Sequence, residues 1–92
     1  MTTDRRLAGL LIREGLGAVL DPALVSTLRE DTPLASTGLT DADAVCVADG
    51  VAEAAAARGL VCDLDDADFA AATTVGGLVD AAARRIGDVD AD

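Results

Sequence analysis

The chain has no histidine, no lysine, no tryptophan and no tyrosine. The side chains that most often shuttle protons near neutral pH are therefore missing, and no nucleophile–base pair of the usual kind can be assembled. An enzyme is not expected. Phe69 is the one aromatic, and much of the 51% hydrophobic content is alanine. Small side chains each remove little area from water, at ~25 cal/mol per Å², so a thin core is expected. Two cysteines, Cys46 and Cys62, make neither a disulfide framework nor a zinc site. No run approaches the ~20 apolar residues of a membrane span. The first apolar stretch is broken by Arg13-Glu14 and carries no cleavage signal, so it does not resemble a signal peptide. A cytoplasmic location with reduced thiols is the expectation. Bases are scarce too: 7 arginines stand against 17 acids, for a net charge of −10. A chain this acidic is a poor match for nucleic acid or an anionic membrane. Its natural complement is a protein with a basic patch, although acidity also serves plain solubility.

What the 92 residues do contain is helical periodicity. They suffice for one domain, 1–92. Thr3 or Asp4 can cap a first helix over about 4–20, with Leu7, Leu10, Leu11 and Ala18 on its apolar stripe and Gly9, Gly15 and Gly17 weakening it. Asp21-Pro22 starts a turn, with Pro22 suited to the first position of a short helix. Leu24, Val25 and Leu28 then read as anchors for a long connection. A second helix is expected from about Asp41 to Arg58, with Val45, Ala48, Val51, Ala52 and Ala55 on its apolar face and Gly59 just past its end. Leu60-Val61-Cys62 is a short apolar linker. Asp65 or Asp66 can cap a short helix carrying Phe69, and a Thr of Thr73-Thr74 caps the last one. That last helix buries Val75, Leu78, Val79, Ala82 and Ile86, has Arg84 and Arg85 in its final turn, and stops at Gly87. Residues 88–92 read as a frayed acidic tail. Three substantial helices, one short one and a long loop between the first two describe an all-α, irregular four-helix bundle.

The most informative stretch is Thr32-Pro33-Leu34-Ala35-Ser36-Thr37-Gly38-Leu39-Thr40-Asp41-Ala42-Asp43-Ala44-Val45. Pro33 and Gly38 punctuate a loop, and Thr40 with Asp43 suits a capping box. This stretch resembles the modification-site segment of acyl carrier and peptidyl carrier proteins. Pro33-Leu34, Gly38-Leu39 and Ala44-Val45 fall at that family's offsets, and the acidic turn before Thr73-Thr74-Val75 resembles its approach to the final helix. The resemblance implies the same four-helix bundle. It also implies a site: the family presents an Asp-Ser-Leu whose serine carries 4′-phosphopantetheine, and here Thr40-Asp41-Ala42 stands there instead. One departure is the length of the second helix, about a turn longer than usual. Either an insertion lies in Ala54 to Ala57, or the register differs there.

Asp41 has no hydroxyl. A carboxylate in the serine's role would give a mixed acyl phosphate, which hydrolyses readily, so attachment at Asp41 is not expected and no cofactor is expected. Asp is also an ordinary first-turn residue, favourable by ~0.3–1 kcal/mol. Of the nearby hydroxyls, Thr40 suits the cap and Ser36 lies back in the loop. Counting back from Leu60 for a helix of the family's length puts Cys46 at the serine position, where it would hold an acyl group as a thioester. That register gives up the other matches, and cysteines in such positions are more often inert packing, which is also the expectation for Cys62. The acids Asp41, Asp43, Asp49 and Glu53 form a third candidate. In the family, acidic residues on this helix dock basic patches of partner enzymes, which here implicates Leu39, Asp41, Ala42, Asp43, Asp49 and Glu53. Asp63 to Asp68 lacks the Gly and final Glu of a calcium loop and reads as a helix cap.

The expectation is then a carrier-protein-like domain without its phosphopantetheine serine, acting by docking to a synthase- or transferase-type partner in a polyketide, nonribosomal peptide or fatty-acid type pathway. The alternatives are a true acyl or aminoacyl carrier seen with Asp in place of its serine, and an unrelated acidic interaction module of similar shape.

Overall fold

The computed structural model describes residues 3–88. Five α-helices follow in order: α1 (Thr3–Gly17), α2 (Pro22–Thr27), α3 (Asp41–Ala56), α4 (Asp66–Ala71) and α5 (Val75–Arg85). A 3-10 turn, Leu34–Thr37, precedes α3, and two short strands, β1 (Leu60–Val61) and β2 (Gly87–Asp88), pair antiparallel. The result is a small helical bundle. It has one more helix than expected, because Pro22–Thr27 winds into a full element within the long connection.

Most boundaries are set by local side-chain bonds. Asp21 accepts from the Ala23 N–H at 2.8 Å with Pro22 at the first helical position. Asp65 and Asp68 form a reciprocal capping box on α4, and Thr74 accepts from the Gly77 N–H to start α5. Each such cap is worth ~1 kcal/mol. Beyond α3 the chain turns through Gly59, whose φ of 73° lies where side chains are disfavoured. The side chains of Thr3 and Asp4, and residues 89–92 of the expected tail, lie outside the described residues. The tail's first residue, expected to fray, instead pairs with Leu60 in the strand ladder.

Helix α1 is the central element, packed against both α3 and α5. Its buried stripe is Ala8, Leu11, Ile12 and Leu16, met by Val47, Val51 and Ala55 of α3 and by Leu78, Val79 and Ala82 of α5. Burial of each Leu, Ile or Val contributes ~1.5–3 kcal/mol. Cys62 and Leu64 close the core behind β1.

Several expectations about this core need correction. Leu10 is 55% exposed and Ala18 is exposed, because the α1 stripe centres on Leu11, Ile12 and Gly15 rather than on Leu10. Leu24 faces solvent, leaving Leu28 as the buried anchor with Val25 half-buried. On α3 the inward residue is Val47, and Val45 is 54% exposed. The reason is the α1–α3 crossing. It runs over Gly15 and Gly50: a Cβ on Gly15 would lie 2.7 Å from the Val47 carbonyl oxygen, and one on Gly50 would lie 3.1 Å from the Gly15 Cα. Bringing Gly50 onto α1 rotates Val47, Val51 and Ala55 inward and turns Val45 outward. Ile86, expected on the buried face of α5, is half-buried as its C-cap.

The connection to α3 is tied to the far end of the chain. Leu34 N–H donates to the Thr73 carbonyl at 3.0 Å, and Val75 N–H donates to the Thr32 carbonyl at 3.0 Å, making a bridge between Pro33 and Thr74. The Gly76 N–H donates to the Glu30 carbonyl at 2.8 Å beside it.

Candidate functional site

The corner that opens α3 is built from the inside out. In the 3-10 turn, Thr37 is buried and its hydroxyl donates to the Leu34 carbonyl at 2.6 Å. Ser36 donates its hydroxyl to the Pro33 carbonyl at 2.7 Å, so that hydroxyl serves the turn. Gly38, at φ 78°, reverses the chain, and Leu39 folds back half-buried against the core. Thr40 is then the N-cap in extended backbone. Its Oγ1 accepts from the Asp43 N–H at 3.1 Å, and the Asp43 carboxylate accepts from the Thr40 N–H at 3.1 Å. Two of the helix's orphan donors are satisfied reciprocally, as the spacing of Thr40 and Asp43 implies.

Asp41 is left as the first residue of α3, exposed, with no hydrogen bond or ion pair to any described residue. Its charge sits at the positive end of the helix dipole. The sequence-predicted docking residues separate into two groups. Ala42, Asp49 and Glu53 are exposed and lie at i, i+7 and i+11, on one outward stripe of α3. Asp43 is half-buried and its carboxylate is held in the cap, so it stands apart from that stripe. Leu39 is half-buried at the edge of the corner.

Cys46 lies on the same outward stripe, exposed, five residues inside α3. No helix begins there, so the register that would place it at a helix start is not the one adopted, and it is not the packing residue expected. Cys62 is the buried thiol. Burial pushes its ionisation upward, Asp63 and Asp68 add to this against an opposing Arg85, and its Sγ lies 3.5 Å from the Ala82 carbonyl oxygen.

A feature the sequence reading did not find lies beside Asp41. Helix α4 packs against α3 and α5, leaving a groove of about 490 Å³ between it and the corner. Leu34, Leu39, Ala44, Val45, Phe69 and Ala70 supply its apolar lining, and Thr40, Asp41 and Asp66 supply the polar groups. The two carboxylates come from different helices. Asp66, like Asp41, has no bonded partner among the described residues. The one signal in the sequence was Phe69, the lone aromatic placed on a short acid-capped helix.

The outer wall is held in place by Arg85, which reaches from α5 to Asp65 at 3.4 Å and Asp68 at 3.1 Å. The Asp68 side chain is only 10% exposed. Burial alone would raise its ionisation, but the Asp65 N–H and the Arg85 guanidinium outweigh that and hold the carboxyl below its ordinary range. Comparison with protein families, with curated proteins and with solved structures returns no match.

Chemically the corner offers two carboxylates, Asp41 and Asp66, beside an apolar groove. Among the described residues no three potential ligands gather in a metal-binding group, and no helix is long and apolar enough to cross a membrane.

Proposed function

We propose that this protein is a carrier-protein-like domain of the acyl or peptidyl carrier type whose modification position is occupied by Asp41, and that it works by docking to a partner enzyme. The observation that carries this is the presentation of Asp41: an exposed, unpartnered first residue of α3, held out by Gly38, Leu39 and the Thr40–Asp43 capping box. That arrangement suits a residue offered to another protein. A carboxylate there supplies charge without a durable attachment point. The acidic stripe Asp49–Glu53 beside it complements a basic patch of a synthase or transferase type, in pathways that pass acyl or aminoacyl groups between enzymes.

The test is modification by a broad-specificity phosphopantetheinyl transferase with coenzyme A, read by intact mass. The chain with Asp41 stays at its own mass, and Asp41→Ser gains one phosphopantetheine. Loading of the chain with Asp41 would show a working carrier with another attachment residue. Failure of Asp41→Ser to load, with the variant folded by circular dichroism, would sink the carrier-frame reading.

A further inference from the structure

We propose that a pocket between α1 and α5 binds a small phosphate monoester with a short apolar body. The pocket shares no residue with the corner at Asp41, and the inference does not depend on the docking role. Its volume is about 200 Å³, and Arg5, Arg6 and Arg13 of α1 line it together with Glu30 from the connection. Arg5, Gly9 and Arg13 fall at i, i+4 and i+8 on one face of α1, with Arg6 beside them. Gly9 has no side chain to fill the gap between the arginines, and a Cβ built on it meets nothing within 4 Å. Ile12, Val75 and Val79 are buried and give the gap an apolar floor. Three of the chain's 7 arginines thus line one small space in a molecule of net charge −10.

The class of ligand follows from how these charges are met. Arg5 donates to Asp80 at 2.8 Å and to Glu30, so its guanidinium faces two carboxylates and the acid in the lining is taken up by that pair. Arg13 donates to the carbonyls of Val25 at 3.3 Å and Leu28 at 3.2 Å, which orient it without cancelling its charge. Arg6 is exposed and makes no hydrogen bond or ion pair with any described residue. Two positive charges therefore border the gap without acids of their own. They call for a doubly charged group, and a single gap calls for a compact one. A phosphate monoester carries close to two charges near neutral pH and offers three acceptor oxygens to guanidinium donors. The floor of Ile12, Val75 and Val79 takes a short carbon chain, as small-molecule pockets combine apolar lining with a few oriented polar groups. The acidity of the whole chain opposes any anion, but that field is screened beyond ~8 Å at physiological salt, while the arginines act at contact.

The experiment titrates the ¹⁵N-labelled protein with butyl phosphate, butanesulfonate and inorganic phosphate at about pH 8, where phosphate monoesters are dianions. Butyl phosphate is expected to shift the amides of Arg6, Gly9 and Arg13 saturably. Butanesulfonate, with the same body and one charge less, should bind about three- to tenfold more weakly. Inorganic phosphate, which lacks the body, should bind about five- to tenfold more weakly. Arg6→Gln changes a side chain with no structural partner and should weaken butyl phosphate about two- to fivefold. Gly9→Leu should abolish the saturable shifts and melt no lower than the parent, because leucine fills the gap and rests on the apolar floor. Equal affinity for the three anions, unchanged affinity in both variants, or no saturable shift by butyl phosphate up to about 20 mM would each overturn the site. A short glutamate-rich peptide is the last arm: tighter binding than butyl phosphate would give the pocket to a protein segment and overturn the small-molecule assignment. None of these results bears on loading of Asp41→Ser, so the two readings fail separately.

Discussion

Gly15 and Gly9 both sit in α1 and both lower its intrinsic helicity, yet alanine at the two positions should move stability in opposite directions. In a helix interior, Gly→Ala gains up to ~1 kcal/mol. At Gly9 a new Cβ meets nothing within 4 Å, so Gly9→Ala should realise most of that gain. At Gly15 the new Cβ would lie 2.7 Å from the Val47 carbonyl oxygen, 2.8 Å from Val51 Cγ2 and 3.2 Å from Val47 Cγ1. The nearest obstacle is backbone, so relief requires α1 and α3 to move apart along a contact that buries Leu16, Val47 and Val51. Overpacking of this kind costs ~1–3 kcal/mol, and here the backbone contact puts it toward the upper end. The net for Gly15→Ala is about 1–2 kcal/mol of destabilisation, against about 0.5–1 kcal/mol of stabilisation for Gly9→Ala. For a domain of this size a kilocalorie moves the midpoint by roughly 4–8 °C, so the two variants should melt roughly 6–24 °C apart. Calorimetric melts, supported by urea titrations with unchanged slope, provide the measurement. If both variants melt above the parent, the crossing has slack and the role given to Gly15 is wrong.

Two further outcomes follow from the thiols and the α4 latch. In the native protein a thiol reagent should modify Cys46 rapidly and Cys62 only on unfolding, since one is exposed and the other is buried with its ionisation pushed up; two fast-reacting thiols would contradict the packing behind β1. The Asp68 carboxyl is held below its ordinary value of 3.8 when folded. Its contribution is therefore complete above that value and is lost as pH falls through the lower, folded one. Asp68→Asn keeps an acceptor for the Asp65 N–H but not the charge, so its stability should depend less steeply on pH below about 4, as acid titration by circular dichroism would record.

How much of this was legible in the residues depended on how local the cause was. Asp21-Pro22 and Thr40 with Asp43 were readable, and the caps of α4 and α5 were narrowed to Asp65 or Asp66 and to Thr73 or Thr74, because each cap joins a side chain to a backbone N–H two or three residues away. The buried face of α3 was not. The helix is rich in alanine, with valines at 45, 47 and 51, so composition alone supports more than one orientation, and the choice is made by glycines on two helices meeting. The β1–β2 ladder joins Leu60 to Asp88 through two residues a side, too short to leave a periodic signal. At the corner, Asp41 and its presentation were visible in the chain. The groove was not, since its second wall depends on where Arg85 holds α4.

The bridge from Pro33 to Thr74 also carries a consequence for assembly. The segment leading into α3 donates one backbone bond to the Thr73 carbonyl, from the Leu34 N–H, and accepts one from the Val75 N–H, at the Thr32 carbonyl. Closing that span fixes a long loop at an entropic cost that is offset only when both ends are present to form these bonds. During synthesis the corner therefore waits for residues beyond Thr74, and α1 waits for α5, which is made some sixty residues later. A nascent or truncated chain that already contains Asp41, Asp49 and Glu53 still lacks the surface they belong to. Under the docking role proposed above, a partner that reads shape as well as charge would engage the corner only once α5 is in place.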